Sequence, residues 1–115
     1  MATADADVKK VLNFLKSNGG GISTVVYEWK SEDGLSWYRK WSNGLIEQWT
    51  RSEKSNNVLV TLPTSFSDTN YVVVISRHHN GYYEDTSMSC FIVDVSTVRI
   101  WGKDNNPRFI YACGY

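Results

Sequence analysis

Residues 37–49 read WYRKWSNGLIEQW, with Trp37, Trp41 and Trp49 placed about an Asn43-Gly44 pair. An Asn-Gly pair between two alternating runs is a strong short-range hairpin signal, because a type I′ turn needs positive φ at both central residues. The stretch is therefore predicted to be a β-hairpin closed by that turn. Side chains alternate across a strand, so Trp37, Arg39 and Trp41 share one face of the first arm and Tyr38, Lys40 and Ser42 the other. On the second arm Leu45, Glu47, Trp49 and Arg51 oppose Ile46, Gln48 and Thr50.

Both faces of this hairpin carry large apolar groups together with charge, whereas a half-buried strand normally has one apolar and one polar face. Two explanations fit. Arg39 and Glu47 keep their charged ends in water while their stems lie on apolar surface, or the second face is covered by another chain. The loop order described below puts the Asn43-Gly44 turn at the end nearest the N-terminal segment. The tryptophans are then expected to serve as core and subunit contacts, with Arg39 and Glu47 paired.

The chain has 115 residues, enough for one domain that buries roughly two-thirds of its unfolded surface. Twelve Lys plus Arg balance twelve Asp plus Glu, so no basic field exists to draw in nucleic acid or an anionic membrane. Aromatic residues make up 14% of the sequence, including five Trp and seven Tyr. With the β-branched residues of the centre and C-terminus, they indicate strands. No apolar run approaches the roughly 20 residues that span a bilayer, so membrane insertion is not expected. Cys90 and Cys113 each lie inside an apolar strand-like run, SCFIVDV and FIYACGY. There they are expected to act as free, small hydrophobes.

Residues 5–16, DADVKKVLNFLK, are the one helical pattern: Val8, Val11, Leu12 and Leu15 recur at three- and four-residue spacing, and Asn18-Gly19 ends the run. A helix of about a dozen residues is marginal alone in water, so its stripe must dock. It packs either on its own β domain or in a short parallel bundle with symmetry mates, with Val8, Leu12 and Leu15 on the seam. One heptad cannot hold an oligomer by itself, so the β part would supply most of any interface. Gly19-Gly20-Gly21 is read as a flexible joint, which makes 1–22 a short helix with its joint and 23–115 the β-rich domain.

Beyond the joint, strands are expected near 23–31, 36–42, 45–51, 58–62, 71–77, 88–95, 98–102 and 108–113. About eight short strands with turn signals between them predict a mainly β fold, an antiparallel sandwich or barrel-like domain with one short N-terminal helix. If consecutive strands alternate in direction, the links at 32–35, 52–57, 78–87 and 103–107 fall at the end away from the helix. Those links are polar and mostly long. Asp33, Asn56, His79, Asn80, Tyr82, Tyr83, Glu84, Asp85 and Asn105 are the candidate binding residues. Tyr, Asn, Asp and His on loops of a rigid scaffold stack and hydrogen-bond at low entropic cost. The alternative is that these polar loops are simply solvated; Tyr82-Tyr83 weighs against it, a neighbouring aromatic pair in a polar, Gly-containing loop with no obvious core role.

No Ser, His and Asp constellation is apparent, and no carboxylate pair combines spacing with the apolar context that raises a pKa, so an enzyme is not expected. No Gly-Lys-Ser/Thr cradle for phosphate is present, and no cofactor is implied. Adjacent His78 and His79 point to opposite faces of a strand, so a metal would need one histidine from each of several chains, against the simpler reading of a surface pair.

Three stretches in combination, WYRKWSNGLIEQW, VTLPTSFSDTNYVV at 60–73 and FIYACGY at 109–115, resemble the C-terminal receptor-binding tip domain of tail fibres of tailed bacteriophages and prophages. The resemblance covers residues 24–115. It departs from the family pattern at Leu45, where Trp is frequent, and at Trp49-Thr50, where small residues often follow Ile-Glu-Gln. It implies a homotrimeric knob at the end of a fibre shaft, part of the virion and assembled in the host cytoplasm. Such a knob would recognise a bacterial surface receptor, either lipopolysaccharide glycan or an outer-membrane protein. The alternatives are a structural or assembly module of the fibre without receptor binding, and a glycan-degrading domain.

Overall fold

A computed structural model describes residues 7–10, 22–77 and 87–115. Eight strands follow one another: β1 (Val25–Lys30), β2 (Ser36–Trp41), β3 (Ile46–Ser52), β4 (Val58–Thr61), β5 (Val72–Arg77), β6 (Met88–Ile92), β7 (Thr97–Gly102) and β8 (Arg108–Gly114). They form two antiparallel sheets, one of five strands in the order β1-β2-β3-β8-β5 and one of three in the order β4-β7-β6. Both sheets have edges, so of the two expected architectures the sandwich is present and the closed barrel is not. Residues 7–10 are helical and exposed, Val8 at 58%. Leu12 and Leu15 lie outside the described residues.

The expected strand ends match to within three residues, and several coincide. β6 stops at Ile92 because the chain turns there: Val93 and Asp94 both donate their N–H to the Thr97 carbonyl, and Asp94 Oδ1 accepts from the Ser96 N–H at 2.9 Å. The pairing of β2 with β3 sets Trp37 against Trp49 and Arg39 against Glu47, which is the phase read from the sequence.

The hairpin turn differs from the type I′ expectation. Gly44 has φ of 93°, but Asn43 is not among the positive-φ residues. The Gly44 N–H donates to Trp41 O at 2.9 Å and the Trp41 N–H to Leu45 O at 2.8 Å, which makes a three-residue loop with the left-handed residue last. Asn43 stays at negative φ and uses its side chain instead, its Oδ1 accepting the Leu45 N–H at 3.0 Å.

The core lies between the sheets and is built from Ile46, Val60, Leu62, Phe66, Tyr71, Val98, Ile100, Ile110 and Ala112. β7 and β8 contribute alternate residues, Val98 and Ile100 from β7 and Ile110 and Ala112 from β8, all fully buried. The core face of β3 carries Ile46 with Gln48 and Thr50, and the two polar groups are matched. Gln48 Nε2 donates to Thr64 O and Gln48 Oε1 accepts from Thr64 N–H, both at 2.9 Å. Thr50 shares a hydrogen bond of 2.7 Å with Ser36. A buried amide that returns both of its bonds to one backbone residue pins the 62–71 link across the end of the sheets. The same link inserts Phe66 and Tyr71, stacked at 4.2 Å, and Tyr71 Oη donates to Asp94 O at 2.7 Å.

The tryptophans of the hairpin are therefore not core residues, contrary to one half of the expectation. Trp37, Trp41 and Trp49 are half-buried on the opposite face of the five-stranded sheet. The free cysteines expected at 90 and 113 are observed.

Candidate functional site

Neighbouring strands are antiparallel within each sheet, and the bonds from Phe66 N–H to Val95 O and from Ser67 N–H to Tyr115 O set the two sheets so that β1 to β8 alternate in direction along the sequence. The links at 32–35, 52–57 and 103–107, with Arg77 and Ser87, consequently fall at one end of the sandwich. The Asn43-Gly44 turn, the 62–71 link and the 93–96 turn fall at the other, where the chain enters at 22–24. Contacts across the entry end agree: Ser42 N–H donates to Thr24 O at 2.7 Å, Leu62 N–H to Ser96 O at 2.8 Å and Ser67 N–H to Tyr115 O at 2.8 Å.

The loop end is tied together by a small set of polar residues. Asn105, at φ 53°, accepts the N–H groups of Ser55 and Asn56 on its Oδ1 at 3.0 and 2.9 Å. Gly102 N–H donates to Ser55 O at 2.6 Å and Lys103 N–H to Ser87 O at 3.2 Å. Beneath them Arg108 is fully buried, donating through Nη1 to Asn106 O and Pro107 O at 3.2 and 3.1 Å and through Nη2 to Asp104 Oδ1. Burial works against ionisation of Asp104, but the Asn106 N–H and the Arg108 guanidinium outweigh it and hold the carboxyl below its ordinary value. In the 31–35 turn Asp33 Oδ1 accepts from Ser31 Oγ at 2.7 Å and from Leu35 N–H at 2.9 Å, and these bonds, Ser31's first, lower its pKa.

Asp33, Asn56 and Asn105 thus sit at the loop end, as read from the sequence. Asn105 also has a structural duty, since its side-chain oxygen is committed to the 52–57 link. His79, Asn80, Tyr82, Tyr83, Glu84 and Asp85, with His78, lie outside the described residues.

Sequence reading missed a recess of about 400 Å³ at this end. Its floor is the end of β7, Trp101 to Lys103, with Asn56 on one side and Ser87, Met88 and Ser89 on the other. Trp101 is 43% exposed. The signal was available in the alternation of VRIWG: Val98 and Ile100 point inward, so Trp101 falls on the face that an ordinary strand gives to polar residues.

A second surface is the outer face of the five-stranded sheet. Trp37, Trp49 and Phe109 form a ladder across β2, β3 and β8 with ring centroids 6.3 and 4.8 Å apart, and the Arg39 guanidinium lies 5.0 Å over the Trp37 ring. At the centre Glu47 accepts from Trp41 Nε1 on Oε1 at 2.6 Å and from Tyr111 Oη on Oε2 at 2.7 Å, with Arg39 Nε at 3.9 Å. Tyr111's hydroxyl is the main cause that lowers the Glu47 pKa, against a smaller opposing effect of burial. Burial first, and then the bond to Glu47, raises that of Tyr111. Val72 and Val74 complete this face at 63% and 59% exposure. Arg39 and Glu47 are hence paired within one chain, and their charge needs no second chain to balance it. Of the residues expected at a subunit contact, Trp37, Arg39 and Glu47 share this face.

A family profile described as "Putative tail fiber protein gp53-like, C-terminal" matches residues 40–112, which include the hairpin turn, the 62–71 link and the closing strand. The chain belongs to this tail fibre family. Among solved structures, an N-truncated R2-type pyocin tail fibre is similar over 88% of this tail fibre domain and 41% of its own chain, at 19% identity and a TM-score of 0.61. An R2 pyocin fibre C-terminal fragment of P. aeruginosa matches over 88% of this chain and 28% of its own, at 18% identity and a TM-score of 0.57. An N-truncated R1-type pyocin tail fibre matches over 90% and 94%, at 17% and 0.52. These likenesses concern the fold, and the tail fibre domain spans about two-fifths and under a third of the first two structures. A comparison with curated proteins found no match.

Proposed function

We propose that this tail fibre domain is the distal tip of the fibre and binds a bacterial surface receptor, lipopolysaccharide glycan or outer-membrane protein, as a homotrimer. The observation that carries the trimer is the outer face of the five-stranded sheet. It is rich in aromatic and aliphatic side chains, and its central carboxylate already has its hydrogen bonds, so a partner can cover it without stranding a charge. A contiguous exposed apolar surface of this kind marks an interaction site. Residues 1–22 then form the end of the fibre shaft, with Val8, Leu12 and Leu15 on a short three-chain seam and the glycines as joint. The loop end faces away from the shaft and carries recognition.

Binding is favoured over glycan cleavage by the state of the carboxylates. Among the described residues no carboxyl is raised into the range of a general acid: the shifted ones, Asp33, Glu47, Asp94 and Asp104, are held below their ordinary pKa by hydrogen bonds. Three identical sites on one rigid tip gain avidity of about 10² to 10⁴ over a single site when geometry allows, so weak contacts per chain suffice.

Light scattering at micromolar protein tests the assembly. Three chains of 13.1 kDa are expected, about 39 kDa in all. A stable monomer would sink the trimer, and failure of the protein to adsorb to any of a panel of Gram-negative isolates would sink the recognition role.

A further inference from the structure

Within that role, we infer that the recess over Trp101 is a glycan subsite, in which one pyranose ring of a surface polysaccharide stacks on the indole. The inference rests on the reading of the domain as a receptor-binding tip.

Four features carry it. Trp101 is the last outward-facing side chain of β7, the central strand of the three-stranded sheet; it pairs with Ser89 of β6, and the β4 ladder begins at the residue before it, Ile100 opposite Val58. A ring on such a strand is held more rigidly than one on a loop and loses little entropy when it is covered. The indole is 43% exposed at the floor of a recess of about 400 Å³, a volume suited to one or two sugar rings. Polar groups surround the indole, the Asn56 amide, the Ser87 and Ser89 hydroxyls and Lys103.

This is the chemistry a pyranose needs. Its axial C–H groups form an apolar face that lies on the negative face of an aromatic ring, while its equatorial hydroxyls radiate to donors and acceptors around the edge. The zero formal charge of the chain fits a ligand recognised by stacking and hydroxyl bonds rather than by a strong field. The recess also lies where the 52–57 link, the start of β6 and the 103–107 link meet, which is the end left free when the shaft occupies the other. Neighbouring Leu59 and Phe91, in one cross-strand row with Arg99, continue an exposed surface along which further sugars of a chain can lie.

The test compares the wild type with Trp101→Ala, Trp101→Phe and Ser89→Arg. The last fills the recess from an exposed position while leaving the indole. Adsorption is measured to isolates that the wild type binds, after mock treatment, periodate oxidation of surface sugars, or proteinase digestion of surface proteins. The wild type is expected to bind mock-treated and proteinase-treated cells but not periodate-treated ones. Trp101→Ala and Ser89→Arg should each lose tenfold or more in adsorption with unchanged size and circular dichroism, and Trp101→Phe should retain a measurable part. Full binding to periodate-treated cells, loss of binding after proteinase alone, or wild-type adsorption by Trp101→Ala each overturns the subsite while leaving the tip reading intact. Dissociation of the oligomer by Trp101→Ala would overturn it in favour of a subunit contact. A wild type that binds no isolate overturns the tip reading itself, and the subsite with it.

Discussion

Replacing Arg108 with Ala should be among the most damaging single changes in this domain. The side chain is wholly buried and, among the described residues, is the largest one so placed. It donates to the carbonyls of Asn106 and Pro107 and to the Asp104 carboxylate, whose side chain is only 9% exposed. Truncation leaves Asp104 with the Asn106 N–H alone, two carbonyls short of a donor, and a cavity under the 103–107 link. Breaking a buried ion pair from one side costs about 3–5 kcal/mol, because the remaining charge is stranded in a poorly solvated place. Taking about 4 kcal/mol, the folding equilibrium falls roughly a thousandfold, out of a total stability of about 5–15 kcal/mol. In a domain of this size the melting temperature should drop by roughly 15–30 °C. Thermal unfolding followed by circular dichroism at one fixed protein concentration reads this directly. A double replacement, Asp104→Asn with Arg108→Met, removes both charges and keeps most of the volume, and should recover more than half of the loss. A drop of less than about 1 kcal/mol for Arg108→Ala, or a double variant as unstable as the single one, would refute the assignment of the loss to a stranded carboxylate.

Three further outcomes are expected. Gly114→Ala should cost about 1–3 kcal/mol, since a methyl group there would stand 2.6 Å from Tyr71 Cβ and 3.0 Å from its Cα, and backbone cannot move aside cheaply; a chemical denaturation midpoint checks it. Glu47→Gln replaces an anion that accepts from Trp41 Nε1 and Tyr111 Oη, and should weaken both bonds by about 1 kcal/mol in all and raise the concentration at which the proposed trimer dissociates, as read by analytical ultracentrifugation. Stability should fall in acid. Asp33, Glu47, Asp94 and Asp104 all have folded pKa values below their ordinary 3.8 to 4.5, so their contribution is complete above that range and is lost as pH drops through the folded values. Melting temperatures between pH 3 and pH 7 test this, and a flat profile would contradict it.

The strand order along the chain, and the end of the sandwich to which each described link belongs, were legible without coordinates. They depend on local alternation and on turn residues, and antiparallel neighbours reverse direction by necessity. The phase of the hairpin was legible for the same reason. The type of its turn was not: an Asn-Gly pair serves a two-residue or a three-residue loop, and the choice rests on whether Leu45 pairs with Trp41. Nor did alternation reveal which hairpin face meets the core. By composition the Trp37, Arg39, Trp41, Glu47 and Trp49 face is the more aromatic, yet the buried face is Ile46, Gln48 and Thr50. Gln48 is a good core residue only because the 62–71 link brings Thr64 backbone against it, a contact 16 residues away in sequence.

By itself, then, the sequence determined a mainly β chain with alternating strands, its polar links gathered at one end, and its membership of a tail fibre family through the hairpin and the closing strand. These follow from period, turn chemistry and pattern, which are local. Only the tertiary structure decided that the strands divide five and three between two sheets, that the tryptophan ladder faces outward around Glu47, and that Trp101 floors a recess between links from opposite sides of β7. Those outcomes depend on which faces the second sheet covers, and burial is a property of the whole packed molecule rather than of any strand within it.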